Sequence, residues 1–148
     1  MPAPTHEPIG LELTRTSKIL GRAFDDALAS VGGSLATWLV LVSLKANEHA
    51  MQRELAEAVG IEGPTLTHHL NRMETAGLVT RERDPGNRRV HRVALTAEGE
   101  QAFTEMRGAV TEFDRRLRAG LTDDQVDELS GLLAHLRHNA TATAETGP

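Results

Sequence analysis

The chain has 148 residues, no cysteine and a formal net charge of −5, with 16 Lys and Arg against 21 Asp and Glu. That length accommodates one domain with a substantial core, while the missing cysteines exclude disulfides, thiolate metal sites and thiol redox switches. One Trp, three Phe and no Tyr leave too few rings for stacking a row of single-stranded bases.

No apolar run approaches the length of a membrane span, and the first residues show no charged-then-apolar leader pattern. No membrane association is expected, and the cytoplasm is the expected compartment. Residues 1–8, with three prolines, read as a loose arm. From Ile9 an amphipathic helix is predicted to about Ser30, its apolar positions Leu13, Leu20, Phe24, Leu28 and Val31 recurring at helical spacing. Gly32 and Gly33 end it. Ser34 is a good N-cap for a second helix through Trp38, Leu39, Val42 and Leu44 to about Ala46.

A short helix, Gln52 to Val59, is followed by the turn Gly60-Ile61-Glu62-Gly63. Pro64 opens the next helix where its missing N–H costs nothing, and Gly77 stops it after Ala76. Strands are predicted at Val79–Arg83 and Arg89–Leu95 around the turn sequence Asp84-Pro85-Gly86-Asn87. Thr96 caps a long helix to about Ala119, with Phe103, Met106, Val110, Phe113 and Leu117 as a coiled-coil-like seam. Gly120 breaks it. Thr122-Asp123-Asp124-Gln125 reads as a capping box for a last helix with Val126, Leu129, Leu133 and Leu136 on one face. The tail after Asn139 reads as frayed. The fold class is mainly α with a small β-hairpin (α+β).

Charge is distributed unevenly. From Leu78 to Val93 stand five arginines (Arg81, Arg83, Arg88, Arg89 and Arg92) against two acids, Glu82 and Asp84. On a wheel of 3.6 residues per turn, Leu66, Leu70 and Met73 of the 64–76 helix fall on one side and must face a core. The other side carries Thr65, Thr67, His68, Asn71, Arg72 and Thr75. Every one of these can donate or accept a hydrogen bond and none is acidic, which suits a groove lined by phosphates. Arg72 is the candidate for guanine and Asn71 for adenine. A local basic patch on an acidic body binds phosphate in a salt-dependent way.

The run Leu55-Ala56-Glu57-Ala58-Val59-Gly60-Ile61, then Pro64-Thr65-Leu66-Thr67 and Leu70-Asn71-Arg72-Met73-Glu74-Thr75-Ala76-Gly77-Leu78-Val79-Thr80-Arg81, resembles the helix-turn-helix of the MarR family of bacterial transcription regulators. The segment Arg83-Asp84-Pro85-Gly86-Asn87-Arg88-Arg89 and its exit Val93-Ala94-Leu95-Thr96-Ala97-Glu98-Gly99 resemble that family's wing. Together these motifs span residues 55–99, about a third of the chain. The resemblance implies a winged helix-turn-helix, residues 34–96, that binds double-stranded DNA. The 64–76 helix would enter the major groove and the wing at 79–95 the minor groove, with Arg89 at the tip. Arg81, Arg83, Asn87 and Arg88 join it as DNA-contact candidates. Most members carry Asp where this chain has Asn87; Asn can bond the Arg89 guanidinium but adds no charge attraction.

The resemblance also implies that the flanking helices, residues 9–33 and 97–139, interleave between two protomers, with 140–148 as a free tail. A homodimer on a twofold axis reads a palindromic operator with half-sites roughly 10 bp apart, and repression is the family default. Members commonly release DNA when a small aromatic or phenolic acid binds between the dimer helices and the DNA-reading lobe. Trp38 stands where salicylate-binding members place a ring-contacting Trp, and Lys18 where they can place a carboxylate-binding Arg. His69 lies on the flank of the recognition helix, so a ligand touching it could tilt that helix.

Two other readings remain at this point: a winged helix used for protein–protein contact, and a metal-responsive regulator. His68 and His69 point about 100° apart on a helix, which prevents shared chelation, and His135 and His138 have no obvious further ligand. No metal site or cofactor is expected. The chain shows no paired-carboxylate site, nucleophile motif or phosphate-cradling glycine loop, so an enzyme is not expected. Arg89→Ala is expected to weaken operator binding by about tenfold or more, measured by fluorescence anisotropy on a labelled duplex; unchanged affinity would remove the wing tip from the mechanism.

Overall fold

A computed structural model of the chain describes residues 6–47 and 50–145. The described elements run α1 (Ile9–Ala29), α2 (Leu35–Ala46), β1 (Ala50–Met51), α3 (Gln52–Val59), α4 (Gly63–Thr75), β2 (Val79–Asp84), β3 (Asn87–Leu95), α5 (Ala97–Leu117) and α6 (Asp123–Glu145). They fall into two compact units, Met1–Thr111 and Glu112–Pro148. The predicted arm lies largely outside the described residues.

The first unit has one core. Leu28 of α1, Val40, Leu41 and Leu44 of α2, Leu55 of α3 and Leu66, Leu70 and Met73 of α4 are buried together with Ala50, Val79, Val93 and Met106. The apolar stripe predicted for α4 points inward as read, and the C-terminal half of the α1 stripe (Phe24, Leu28 and Val31), expected between protomers, packs on the chain's own core as well. Part of the α5 seam also faces this core: Met106 is buried, and Phe103 and Val110 pack against it. Those side chains serve the chain's own interior, which is where helical spacing alone could not place them.

Local sequence explains the joints. Ser34 adopts the extended N-cap conformation and its Oγ accepts the Thr37 N–H at 3.2 Å. Asp25 reaches across from α1, and its Oδ1 accepts the Leu35 N–H at 2.8 Å, so the first turn of α2 has two side-chain acceptors at its positive end. Gly32, Gly60, Gly77 and Gly120, the predicted stops, all have left-handed φ, between 74° and 85°. At Gly77 the turn is completed by the Leu78 N–H donating to the Met73 carbonyl at 2.9 Å.

The sheet has three strands in the order β1-β3-β2, all antiparallel. The two-residue β1 pairs Ala50 with Val93 and Met51 with Arg92; it was not anticipated, being too short for any period to show. β2 and β3 extend further toward the turn than predicted, to Asp84 opposite Asn87. The register slips there: Arg83 pairs with His91 but Asp84 with Asn87, so residues 88–90 stand outside the ladder as an irregular tip.

In the second unit Gly120 ends the helical run, and the Thr122–Gln125 capping box forms in both directions, at 2.9 and 3.1 Å. The last helix is longer than predicted: α6 continues through Glu145 instead of ending near Asn139, because Ala and Thr past that point offer nothing that terminates a helix. The Arg116 guanidinium lies 6.0 Å from the Phe113 ring centre. Leu117, Leu121, Leu129 and Leu132 are exposed, as are Ile9, Leu11 and Ile19 of α1 in the first unit.

One contact joins the sheet to α5 without tolerance. Thr96 caps α5 by accepting the Gly99 N–H at 3.0 Å while donating to the Gly77 carbonyl, and its own N–H donates to the Leu78 carbonyl. This brings the Leu78 backbone against the first turn of α5, where a Cβ on Gly99 would meet the Leu78 oxygen at 2.1 Å. Alanine in a helix is ordinarily favoured over glycine by about 1 kcal/mol, but here it would collide with rigid backbone. Gly99→Ala is expected to destabilise by about 2 kcal/mol in urea unfolding; a stabilised variant would show that the approach is loose.

Candidate nucleic-acid interface

The helix-turn-helix is α3, the turn at Gly60–Glu62, and α4. Burial of Leu66, Leu70 and Met73 fixes the roll of α4 and leaves Thr65, His68, Asn71, Arg72 and Thr75 exposed on its outer side. Thr67 is half-buried and already engaged: Gln52 Nε2 donates to its Oγ1 at 2.6 Å, and the hydroxyl donates to the Gly63 carbonyl at 3.0 Å. It ties α3 to α4 across the turn, a role that the helical wheel could not reveal because Gln52 belongs to another element. The Thr75 hydroxyl donates to the Asn71 carbonyl at 2.9 Å and keeps its acceptor capacity.

Arg81 is occupied as well. Its guanidinium reaches from β2 to α4, donating to Glu74 Oε1 at 3.1 Å, to Glu74 Oε2 at 3.4 Å and to Asn71 Oδ1 at 2.5 Å. Only 17% of the Arg81 side chain is exposed, so it acts as a strut between wing and recognition helix. Arg92 is paired similarly, with Asp84 at 3.2 Å on the neighbouring strand. Glu74 and Asp84 are the acids that each take one arginine of the basic hairpin out of circulation. An acid a few residues before an arginine across a turn is the signal that could have found Glu74.

Among the described residues, the side chains of Arg72, Arg83, Arg88 and Arg89 form no ion pair. Arg83, Asn87, Arg88 and Arg89 are exposed on the wing. Asn87 Oδ1 accepts the backbone N–H of Arg89 at 3.2 Å, an Asx-type turn that shapes the tip. The Asn87 oxygen thus sets the backbone at Arg89, and its guanidinium is left unpaired.

The three ligand candidates are not gathered in one place. His69 lines a cavity of about 300 Å³ with Gly33, Ser34, Thr37, Arg72 and Leu78. Trp38 and Lys18 do not line it. Trp38 is half-buried and stacks on Phe103, with ring centres 5.3 Å apart and planes 12° from parallel; Lys18 is exposed on α1. A flat ring at helical spacing has its own chain as the nearest partner. Among the described residues no group of three or more His, Asp or Glu could hold a metal ion, and no helix is long and apolar enough to cross a membrane.

An outward helix face of hydrogen-bonding side chains whose one acid, Glu74, is tied to Arg81, set by a buried inner face and flanked by an arginine-tipped hairpin, defines a winged helix-turn-helix. The family model described as MarR family matches residues 34–91. The chain is 31% identical to the transcriptional repressor CouR, solved bound to a 23-mer DNA duplex, with a TM-score of 0.81 over 88% of this chain and 92% of that one. It is 25% identical to a mutant MarR from E. coli complexed with operator DNA, with a TM-score of 0.80 over 87% of this chain and 93% of that one. A MarR-family transcriptional regulator from Rhodococcus sp. RHA1 is 27% identical, with a TM-score of 0.79 over 86% and 91% of the two chains. The chain belongs to the MarR family of transcriptional regulators.

The strut makes a pH prediction. Its hydrogen bond to Arg81, and then the arginine's charge, hold the Glu74 carboxyl below the ordinary value of 4.5. A depressed carboxyl pKa stabilises the fold above the unfolded-state value, and that contribution disappears as pH falls through the lower folded-state value. With 43% of the Glu74 side chain exposed, the contribution should be under about 1 kcal/mol. Glu74→Gln should therefore be less stable than the parent by a constant, small margin at neutral pH, and the margin should close only below pH 4.5. A margin that closes well above that pH would dissociate Glu74 from the strut.

Proposed function

We propose that the protein is a homodimeric, operator-binding repressor acting in the cytoplasm, with α4 in the major groove and the wing tip in the minor groove of a palindromic site. The observation that carries this reading is the partition of arginines. Arg81 and Arg92 are spent on internal acids, whereas Arg72 on the α4 face and Arg83, Arg88 and Arg89 on the wing remain unpaired and exposed on a protein of net charge −5. Unpaired guanidiniums beside a helix face whose one acid is already paired with Arg81 meet phosphates and acceptor-rich base edges. On this reading Thr65, His68 and Thr75 add hydrogen bonds from α4, Thr67 holds the helix in place, and Asn87 shapes the tip. The description of CouR as a repressor bound to duplex DNA supports both the partner and the sign of regulation.

Dimerisation draws on the exposed apolar side chains Ile9, Leu11 and Ile19 of α1, with Leu117, Leu121, Leu129 and Leu132 toward the C-terminus. So many large apolar groups left in water on segments outside residues 34–96 favour burial against a second copy. For the effector, an aromatic acid suits the cavity beside His69. Arg72 can take the carboxylate there, Ser34 and Thr37 offer hydroxyls, and Leu78 supplies an apolar wall. Because Arg72 is also a candidate base contact, an acid bound to it would withdraw that contact directly.

The test combines mass and binding. Sedimentation equilibrium should give twice the 16.0 kDa chain mass, and duplexes selected from a random pool should be palindromic, with affinity that falls steeply with salt. A monomer that binds non-palindromic DNA equally well would sink the dimer reading. Salicylate in the millimolar range should release the selected duplex from the parent and fail to do so from His69→Ala; equal release from both would move the effector elsewhere.

A further inference from the structure

Asn71 is exposed on the outer side of α4, yet its side-chain oxygen is not free. Arg81 Nη2 lies 2.5 Å from it. A guanidinium carries donors only, so the atom facing it must be the carboxamide oxygen, and the nitrogen with its two hydrogens is turned the other way. Arg81 cannot easily let go, since the Glu74 carboxylate grips the same guanidinium through two of its atoms and most of the arginine is buried.

Adenine recognition by asparagine needs both ends of the amide: the nitrogen donates to N7 while the oxygen accepts from the N6 amine. The oxygen's second lone pair does not restore that edge. The adenine amine would have to share one acceptor with a full positive charge, donor crowded against donor. Guanine presents acceptors, N7 and O6, and no donor in the major groove, so the free amide hydrogens and the nearby cation both favour it. We infer that Arg81 is a positioning residue that makes Asn71 a donor-only reader, so that Asn71 selects guanine and not adenine in the operator half-site.

This departs from the expectation that Asn71 reads adenine, and it rests on the DNA-binding reading above. The experiment is selection of duplexes from a random-core pool by the full-length chain, by Asn71→Ala and by Arg81→Met, each sequenced to give base preferences by position. The parent should enrich a half-site in which one guanine becomes degenerate in Asn71→Ala while its neighbours stay fixed. Arg81→Met, which frees the amide to turn, should admit adenine at that same position, with discrimination against it falling roughly fivefold or more. Adenine or thymine at the Asn71-dependent position of the parent overturns the inference. So does a half-site with no Asn71-dependent position, or an Arg81→Met variant that keeps the parent's full guanine preference. Because Asn71→Ala alters only an exposed side chain, it reads the base identity even if Arg81→Met fails to fold. A parent chain that enriches no sequence at all sinks the DNA-binding reading itself, and this inference with it.

Discussion

The pose of the reading surface depends on one guanidinium. Arg81 projects from β2 to α4 and is held there by Glu74 and Asn71. Hydrophobic burial of Leu66, Leu70 and Met73 decides which side of α4 faces outward, but apolar contact is non-directional and does not set the angle between helix and hairpin. A planar fork with fixed donor directions does set it. Helix and hairpin are thereby tied to each other through a side chain as well as through the backbone turn at Gly77.

The same strut explains how an acidic protein can carry a basic reader. Counting arginines along the hairpin overstates the charge available outside, because Glu74 and Asp84 each neutralise one of them. What is left is a small set of unpaired guanidiniums on the wing and on α4, all exposed, while Glu74, the acid of α4, is held by Arg81. Charge here is sorted by whether it has a neighbour of opposite sign, and the sorting separates the arginines that brace the fold from those left open to solvent.

Much of this was legible in the sequence, for physical reasons that can be named. Ser34, Thr96 and the Thr122–Gln125 box cap helices as read, since capping depends on residues three apart. The glycines end helices as read because only glycine takes the left-handed region cheaply. What could not be read depends on which elements meet. Gln52 reaching Thr67, Trp38 stacking on Phe103 and Arg81 reaching Asn71 each join elements separated by a turn or more. Periodicity assigns a residue to a face but does not say what that face touches. The same limit hid β1, and it left Met106 in a supposed dimer seam when it belongs to the core of its own unit.

The register slip at the wing has a consequence for how such a protein can diversify. Residues 88–90 lie outside the β2–β3 ladder, between the paired positions Asn87 and His91. In a regular hairpin, adding or removing one residue would turn every following side chain to the opposite face and expose Val93. Here the irregular segment can absorb such a change, so the reach and sequence of the tip are uncoupled from the alternation that keeps the core intact. Descendants of this chain could explore new tips by insertion as well as by substitution, with the hydrophobic interior indifferent to the outcome.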